Sequence, residues 1–374
     1  MDKNSVNPLY YQLKDTIRQK VRDGEYKVSD LIPSTAELCK IYKLSTTPVR
    51  RAISELIGEG LLKGMPGKGT FVVAEQNQVN QKGNRLVGVI FTGPTTHPFF
   101  MDILNGIETF LNPFGYHLIV TTSNSNAEKE RQIVLELREK GAEGLILTPV
   151  ITVNRTPSAD QALKEVLAED FPLVFVDSTI PEIQVDYVTT NNEKGGYLAT
   201  RHLIKLGHSR IGFVLGININ TVQERLAGYR RALNEFNIPY DPLLVKHSYL
   251  ELQYEDAGYQ NTMDLLHLAN PPSAIFSCND TLVLGVYRAC WELGKRIPDD
   301  ISVIGFDDVS YSAFLCPPLT TIHQPKVEMG QKAAELLLNL IRGGKNNPAQ
   351  VILDNHLVER SSCATLSKIK VTTE

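Results

Sequence analysis

Residues 44–72 read LSTTPVRRAISELIGEGLLKGMPGKGTFV, and the stretch changes character halfway. Ser45 is a good N-cap, and Pro48 falls in the first helical turn, where its missing N–H has no intrahelical partner to lose. Val49, Ile53, Leu56 and Ile57 repeat at helical spacing and are expected to face a core, which turns Arg50, Arg51 and Ser54 outward. Gly60 ends the helix. Two short apolar runs, "LLK" and "TFVV", then flank "GMPGKG" as strands flank a turn.

Upstream, "PLYYQLKDTIRQKVRDGEY" (8–26) sets Leu9, Leu13, Ile17 and Val21 on one stripe, with Gly24 as the stop. "PSTAELCKIYKL" (33–44) opens a second helix capped by Ser34 or Thr35, and Glu37 can close a capping box on Ser34. Three short helices followed by a hairpin make a winged helix-turn-helix, in which the third helix enters a DNA groove and the wing lies beside it. The arginines supply phosphate or base-edge contacts, and Gly67 and Gly69 let the wing backbone approach closely. Charge agrees with this division. Residues 1–73 carry a net +4 and the remainder −8, and attraction to phosphate is a local property.

Positions 8–73 resemble the DNA-binding domain of the GntR family. Its Pro-Ser segment, recognition helix, "L..EGLL" and terminal "GxGTFV" appear here as "IPSTAEL", "LSTTPVRRAISELIGEGLL" and "GKGTFV". The resemblance implies DNA contacts from Ser34, Thr35, Ser45, Thr46, Thr47, Arg50, Arg51, Lys68 and Gly69. Ala36 and Thr46 stand where the family often has arginine.

"AEQNQVNQKGN" (74–84) reads as a polar linker. From Arg85 onward, near-continuously apolar runs such as "LVGVIFT", "EGLILTP", "PLVFVDS", "RIGFVLG", "AIFSCND" and "SVIGFDD" alternate with amphipathic helices. That is the rhythm of βαβ units, with strands buried on both faces, repeated often enough for two doubly wound parallel sheets. Ligands of such sheets bind beyond the carboxyl ends of the strands. Those ends supply Asp177, Arg225, Asn279, Asp280 and Asp307, with Phe99 and Phe100. Carboxylates and a guanidinium hydrogen-bond vicinal hydroxyls, and an aromatic face covers the C–H face of a sugar ring. Taken singly the residues have plain structural uses: Asp280 as a helix cap, Asp308 as a turn cap, Arg225 in a surface ion pair, Phe99 or Phe100 in the core.

Residues 85–363 resemble the effector domain of LacI-type repressors, itself similar to periplasmic sugar-binding proteins. The motifs are "HPFF", "HLIKLGHSRIGFVLG", "ERLAGYRRAL", "AIFSCNDTLVLGVYRACWELGKRIPDDISVIGFDD" and "PPLTTIHQP". The resemblance implies two α/β lobes with ligand between them, held by His97, Phe99, Asp177, Arg225, Asn279 or Asp280, and Asp307, with Thr221 and Tyr249 in addition. His97 replaces the family's usual asparagine.

The expected organisation is thus a winged helix-turn-helix head (1–73), a linker (74–84), a two-lobed effector-binding and dimerisation body (85–363) and a tail (364–374). The expected function is a cytoplasmic, sugar-responsive transcription factor, most simply a repressor. It would act as a homodimer on an inverted-repeat DNA operator, with no cofactor, no metal and no membrane partner. "KVEMGQKAAELLLNLI" (326–341) and the helix beginning at Pro98 have apolar residues enough for both core and dimer interface.

Two rival functions share the same α/β layout. A sugar-acting enzyme lacks GxGxxG after any strand, and "GMPGKGT" only mimics a phosphate loop, since Leu62 stands where that loop needs its first glycine and Gly69 where it needs Ser or Thr. A transport solute-binding protein is expected to carry a secretory leader, and "MDKNSVNPLYYQLK" does not read as one. The five cysteines are scattered, without metal-ligand spacing.

Overall fold

The computed structural model describes residues 8–27, 30–58, 61–65, 69–72, 85–151, 157–216, 219–247, 254–344 and 347–366. The chain divides into two compact units, Met1–Lys82 and Gly83–Glu374.

The first unit contains α1 (Leu9–Arg22), α2 (Thr35–Tyr42), α3 (Thr46–Gly58) and an antiparallel pair, β1 (Leu62–Met65) and β2 (Gly69–Val72). Leu13, Ile17, Leu38, Val49, Leu56, Leu62 and Val72 form its core. The capping box on α2 closes: Glu37 N–H donates to Ser34 Oγ and Ser34 N–H to the Glu37 carboxylate. That carboxylate is held below its ordinary pKa by the hydrogen bonds from Ser34. One expectation is corrected. Ile57 is exposed and Ala52 is buried in its place, because the buried stripe of α3 is centred on Val49, Ala52 and Leu56 and a residue one position on turns about 100° away.

The second unit runs β3 (Leu86–Phe91), α4 (Pro98–Leu111), β4 (His117–Thr122), α5 (Ala127–Glu139), β5 (Ala142–Leu147), α6 (Pro157–Ala168), β6 (Leu173–Val176) and β7 (Asp186–Thr190). It continues with α7 (Asn192–Lys205), β8 (Ile211–Val214), α8 (Asn220–Glu235), β9 (Val245–Lys246), α9 (Tyr254–Leu266), β10 (Ala274–Ser277), α10 (Asp280–Glu292), β11 (Ser302–Asp307) and β12 (Thr320–His323). It closes with α11 (Lys326–Ile341), β13 (Gln350–Leu353) and β14 (His356–Val358).

Two sheets result. The first lobe is ordered β4-β3-β5-β6-β7-β13 and is wholly parallel. The second is ordered β9-β8-β10-β11-β12-β14, parallel except for the edge strand β14. Because β13 returns to the first lobe, the chain crosses between lobes three times, at Asn191, at Gln324–Pro325 and at Asp354–Asn355.

Three helix pairs pack backbone to backbone through reciprocal glycines: Gly106 and Gly330 for α4 and α11, Gly196 and Gly228 for α7 and α8, Gly258 and Gly285 for α9 and α10. A Cβ on Gly196 would lie 2.2 Å from the carbonyl oxygen of Arg225, so this glycine fixes where the Arg225 backbone sits. The apolar faces of α4 and α11 go largely into the first-lobe core, leaving Met101 and Val327 exposed.

Candidate functional site

Between the lobes lies a cleft lined at its first-lobe side by His97, Phe99, Phe100 and Asp177, and at its second-lobe side by Thr221, Arg225, Asn279 and Asp307. Each follows the carboxyl end of a strand, as the doubly wound topology requires. Asp177 (φ 71°) and Asp307 (φ 109°) both occupy left-handed backbone, a conformation that non-glycine residues hold only under constraint and that clusters at binding sites. For Asp177 the constraint is visible: its N–H donates to Val188 O at 2.9 Å, and its carbonyl accepts from Thr189 Oγ1 at 2.8 Å.

Arg225 is buried. Its Nε donates to Asn192 Oδ1 at 2.9 Å and its Nη1 to Cys278 O at 2.6 Å, and Nη1 stands 3.6 Å from Asp307 Oδ1. The guanidinium stacks on Phe306, 3.8 Å from the ring centre. Burial pushes the Asp177 carboxyl up to about 6, against the pull of Arg225. Burial likewise raises Asp307, opposed by Arg225, Gln324 and Lys326. A half-buried and a buried carboxyl thus share one buried cation, a balance that hydroxyl donors of a ligand would favour.

The aromatic wall is Phe99 and Phe100, set edge to face at 5.5 Å, with Phe91 stacked behind Phe100 at 4.9 Å. His97 caps α4: its Nδ1 accepts from Phe99 N–H at 3.3 Å. A ring whose Nδ1 accepts carries its proton on Nε2, and that nitrogen lies 2.8 Å from Thr281 Oγ1 on the other lobe. Burial lowers the His97 pKa, which keeps the ring neutral. A second interlobe bond runs from Asn220 Nδ2 to Thr179 O at 3.2 Å.

Asp280 does not line the cleft, and the expectation for it is corrected. Its carboxyl is fully buried on the far side of the helix start, where Oδ2 accepts from Val309 N–H (3.1 Å) and Ser312 Oγ (2.6 Å) and Oδ1 accepts from Thr321 Oγ1 (2.8 Å). Asn279 is the N-cap of α10 and faces the cleft. Asp308, read as a turn cap, instead pairs with His323 and Arg360. Tyr249 lies outside the described residues. Sequence reasoning missed Thr92, Ser125, Ile151, Ser178 and Ile219, which also line the cleft. Their signal was position alone, a few residues past a strand end.

In the head, Ser45, Thr46, Thr47 and Arg50 are exposed at the start of α3. The two arginines differ. Arg51 donates to Glu55 Oε1 at 3.1 Å and stacks on Tyr10 at 3.8 Å, while Glu55 also accepts from Lys14, so Arg51 ties α3 to α1. The Arg50 side chain makes no hydrogen bond, ion pair or ring contact to another described residue. Ser34 spends its hydroxyl on the capping box, and Thr35 is half-buried beside it. Gly69 (φ 108°) holds a backbone conformation that other residues rarely adopt, and a Cβ there would displace the Leu31 side chain. Lys68 lies outside the described residues. Among the described residues no cluster of side chains could hold a metal, and no helix is long and apolar enough to cross a membrane.

Residues 9–72 match the family described as bacterial regulatory proteins, gntR family, and residues 200–363 match the periplasmic binding protein-like domain. The chain is 32% identical over 337 residues to the ribose operon repressor of Haemophilus influenzae, covering 88% of this chain and 98% of that one. It is 31% identical over 346 residues to the arabinose metabolism transcriptional repressor of Geobacillus stearothermophilus, covering 91% and 93%. Among solved structures, a LacI family transcriptional regulator from Enterococcus faecium with bound ribose superposes with a TM-score of 0.65 at 31% identity, over 75% of this chain and 99% of that one. This chain belongs to the same family of bacterial transcriptional repressors, with a gntR-type DNA-binding head on a LacI-type effector body.

Proposed function

We propose that the cleft binds a small neutral sugar or related polyol, and that its occupancy changes the affinity of a homodimer for an inverted-repeat operator. The observation that carries this reading is the pair of strand-end carboxyls, half-buried Asp177 and buried Asp307, set around one buried guanidinium beside an aromatic wall. The relatives named for ribose and arabinose, and the neighbour holding ribose, support the ligand class. The charge balance narrows it. Among the described lining residues Arg225 is the one permanent cation, and it is already engaged by Asp307, Asn192 and Cys278. A phosphorylated sugar would bring two negative charges to a site that already holds two carboxyls.

A thermal-shift screen of pentoses, hexoses, disaccharides and their phosphates checks this. A neutral sugar at 100 times its Kd should stabilise the body by about 2.7 kcal/mol, and its phosphate should give no shift. Stabilisation by phosphates alone would refute the reading.

In the head, Arg50 is assigned to a base edge and Arg51 to holding α3 against α1. Arg50→Ala should lower operator affinity by about 1–3 kcal/mol and relax specificity at one base pair. Arg51→Ala should weaken all operators alike and lower head stability by about 1 kcal/mol or less, because its ion pair is exposed. Fluorescence anisotropy on a panel of single-base operator variants distinguishes the two; an unchanged base preference in Arg50→Ala would reject the assignment. The dimer rests on the twofold symmetry of an inverted repeat and on exposed apolar side chains of the body such as Trp291 and Phe314.

A further inference from the structure

We propose that Gln324 is a positioning residue that carries effector occupancy at Asp307 to the first lobe, through one buried amide spanning the crossover between the lobes. The inference rests on the sugar-cleft reading above. Gln324 is fully buried, stands at the second crossover and is not among the residues lining the cleft. Its Nε2 donates to Asp307 Oδ1 at 2.7 Å and its Oε1 accepts from Thr190 Oγ1 at 2.5 Å. Asp307 ends β11 of the second lobe, and Thr190 ends β7 of the first. One side chain therefore joins the strand ends of both lobes.

The oxygen it holds on Asp307 is the one that faces Arg225, its neighbour on the second-lobe side of the cleft. A sugar hydroxyl donating to that oxygen shares it with Gln324 and Arg225, because a carboxylate oxygen has two lone-pair directions. The backbone of Asp307 cannot follow freely: Lys326 Nζ, buried at the start of α11, donates to Asp307 O at 2.6 Å and Asp308 O at 2.9 Å. The side-chain link is thus the part left to respond. On the first-lobe side the response is not confined to Thr190. The adjoining Asn191 N–H donates to Leu353 O, and Asn191 O accepts from Asn355 Nδ2, so all three crossovers are tied together. A connected polar chain with an effector group at one end and the lobe hinge at the other is the physical requirement for coupling between sites.

The test is calorimetric titration of the full-length protein with D-ribose or L-arabinose, whichever shifts the wild-type melting point, with and without saturating operator. Wild type, Thr190→Val and Gln324→Met are compared. Thr190→Val keeps the side-chain shape and removes only the donor, which keeps the test informative if Gln324→Met fails to fold. The free variants should bind sugar within about threefold of wild type, while the ratio of sugar Kd with and without operator, tenfold or more in a coupled wild type, falls to about one. A packing role alone would lower the melting point and leave that ratio in place. An unchanged ratio in the folded variants overturns the proposal, and so does loss of sugar binding in Thr190→Val. A wild-type ratio of one would sink the sugar-response reading itself, and this inference with it.

Discussion

An Arg225→Met variant should lose sugar affinity by about a hundredfold or more, and the body should lose a few kcal/mol of stability. Methionine keeps the apolar stem but is three heavy atoms smaller, so the variant removes the charge, the hydrogen bonds and the stack on Phe306 together. Three neighbours depend on the guanidinium: Asn192 Oδ1, Cys278 O and the Asp307 carboxyl. A hydrogen bond to a charged group contributes about 1.5–3 kcal/mol, and breaking a buried pair by removing one partner costs about 3–5 kcal/mol. The full penalty will not appear at neutral pH. Burial already pushes Asp177 up to about 6 and raises Asp307, and Arg225 is the largest force opposing both shifts. Without it both carboxyls rise further, and protonation lets them escape part of the electrostatic cost. A protonated carboxyl is also a weaker acceptor for hydroxyl donors. Calorimetry with the sugar that stabilises wild type, beside a melting curve, measures both effects. A variant that binds sugar within threefold of wild type would make Arg225 a clamp for Asn192 and Cys278 only, and would move the site elsewhere.

The cleft was legible because topology does the gathering. Asp177, Arg225, Asn279 and Asp307 are far apart in the chain, yet each lies at or beyond the end of a buried apolar run, and a doubly wound sheet brings such positions to one edge. The neighbours Asn279 and Asp280 mark the limit of that logic. Asn279 is the extended N-cap and Asp280 the first helical residue, so one faces the cleft and the other faces Val309, Ser312 and Thr321. Composition cannot choose between them. The same ambiguity separates Arg50 from Arg51, where the partner that decides is Tyr10 on another helix.

The strands that went unread, β9, β12, β13 and β14, have two to four residues, and β9, β13 and β14 lie at sheet edges. "QVIL" and "HLV" are half exposed and carry no long apolar run. Missing β13 hid the third crossover, and with it the reason that Asn191, Gln324 and Asn355 are polar and buried or half-buried. "PPLTTIHQP" was informative as a motif, while the use of its glutamine depends on which strand of the other lobe lies opposite.

Asp280→Asn should flatten the pH dependence of body stability between about pH 4 and pH 8. Burial pushes the Asp280 carboxyl up to about 7, the nearby Asp307 adds to the rise, and hydrogen bonds from Ser312, Thr321 and Val309 oppose it. An acid whose folded pKa is raised binds a proton in the folded chain that the unfolded chain has already released, so stability falls as pH rises from the unfolded pKa through the folded one. The protonated form is therefore the favourable one, and holding the ionised form at pH 8 costs on the order of 4 kcal/mol. Asp177 contributes in the same direction. His97, His202 and His208 contribute in the opposite one, since burial lowers their pKa and the unfolded chain binds the extra protons. The difference between wild type and variant removes these shared contributions. Asparagine keeps the shape and cannot ionise, and the hydroxyls of Ser312 and Thr321 can turn to accept from its amide. Denaturant titrations of the full chain at pH 5 and pH 8 should show wild type losing more stability than the variant over that interval. Equal losses would mean that Asp280 is ionised in the folded protein at both pH values, held so by its three donors.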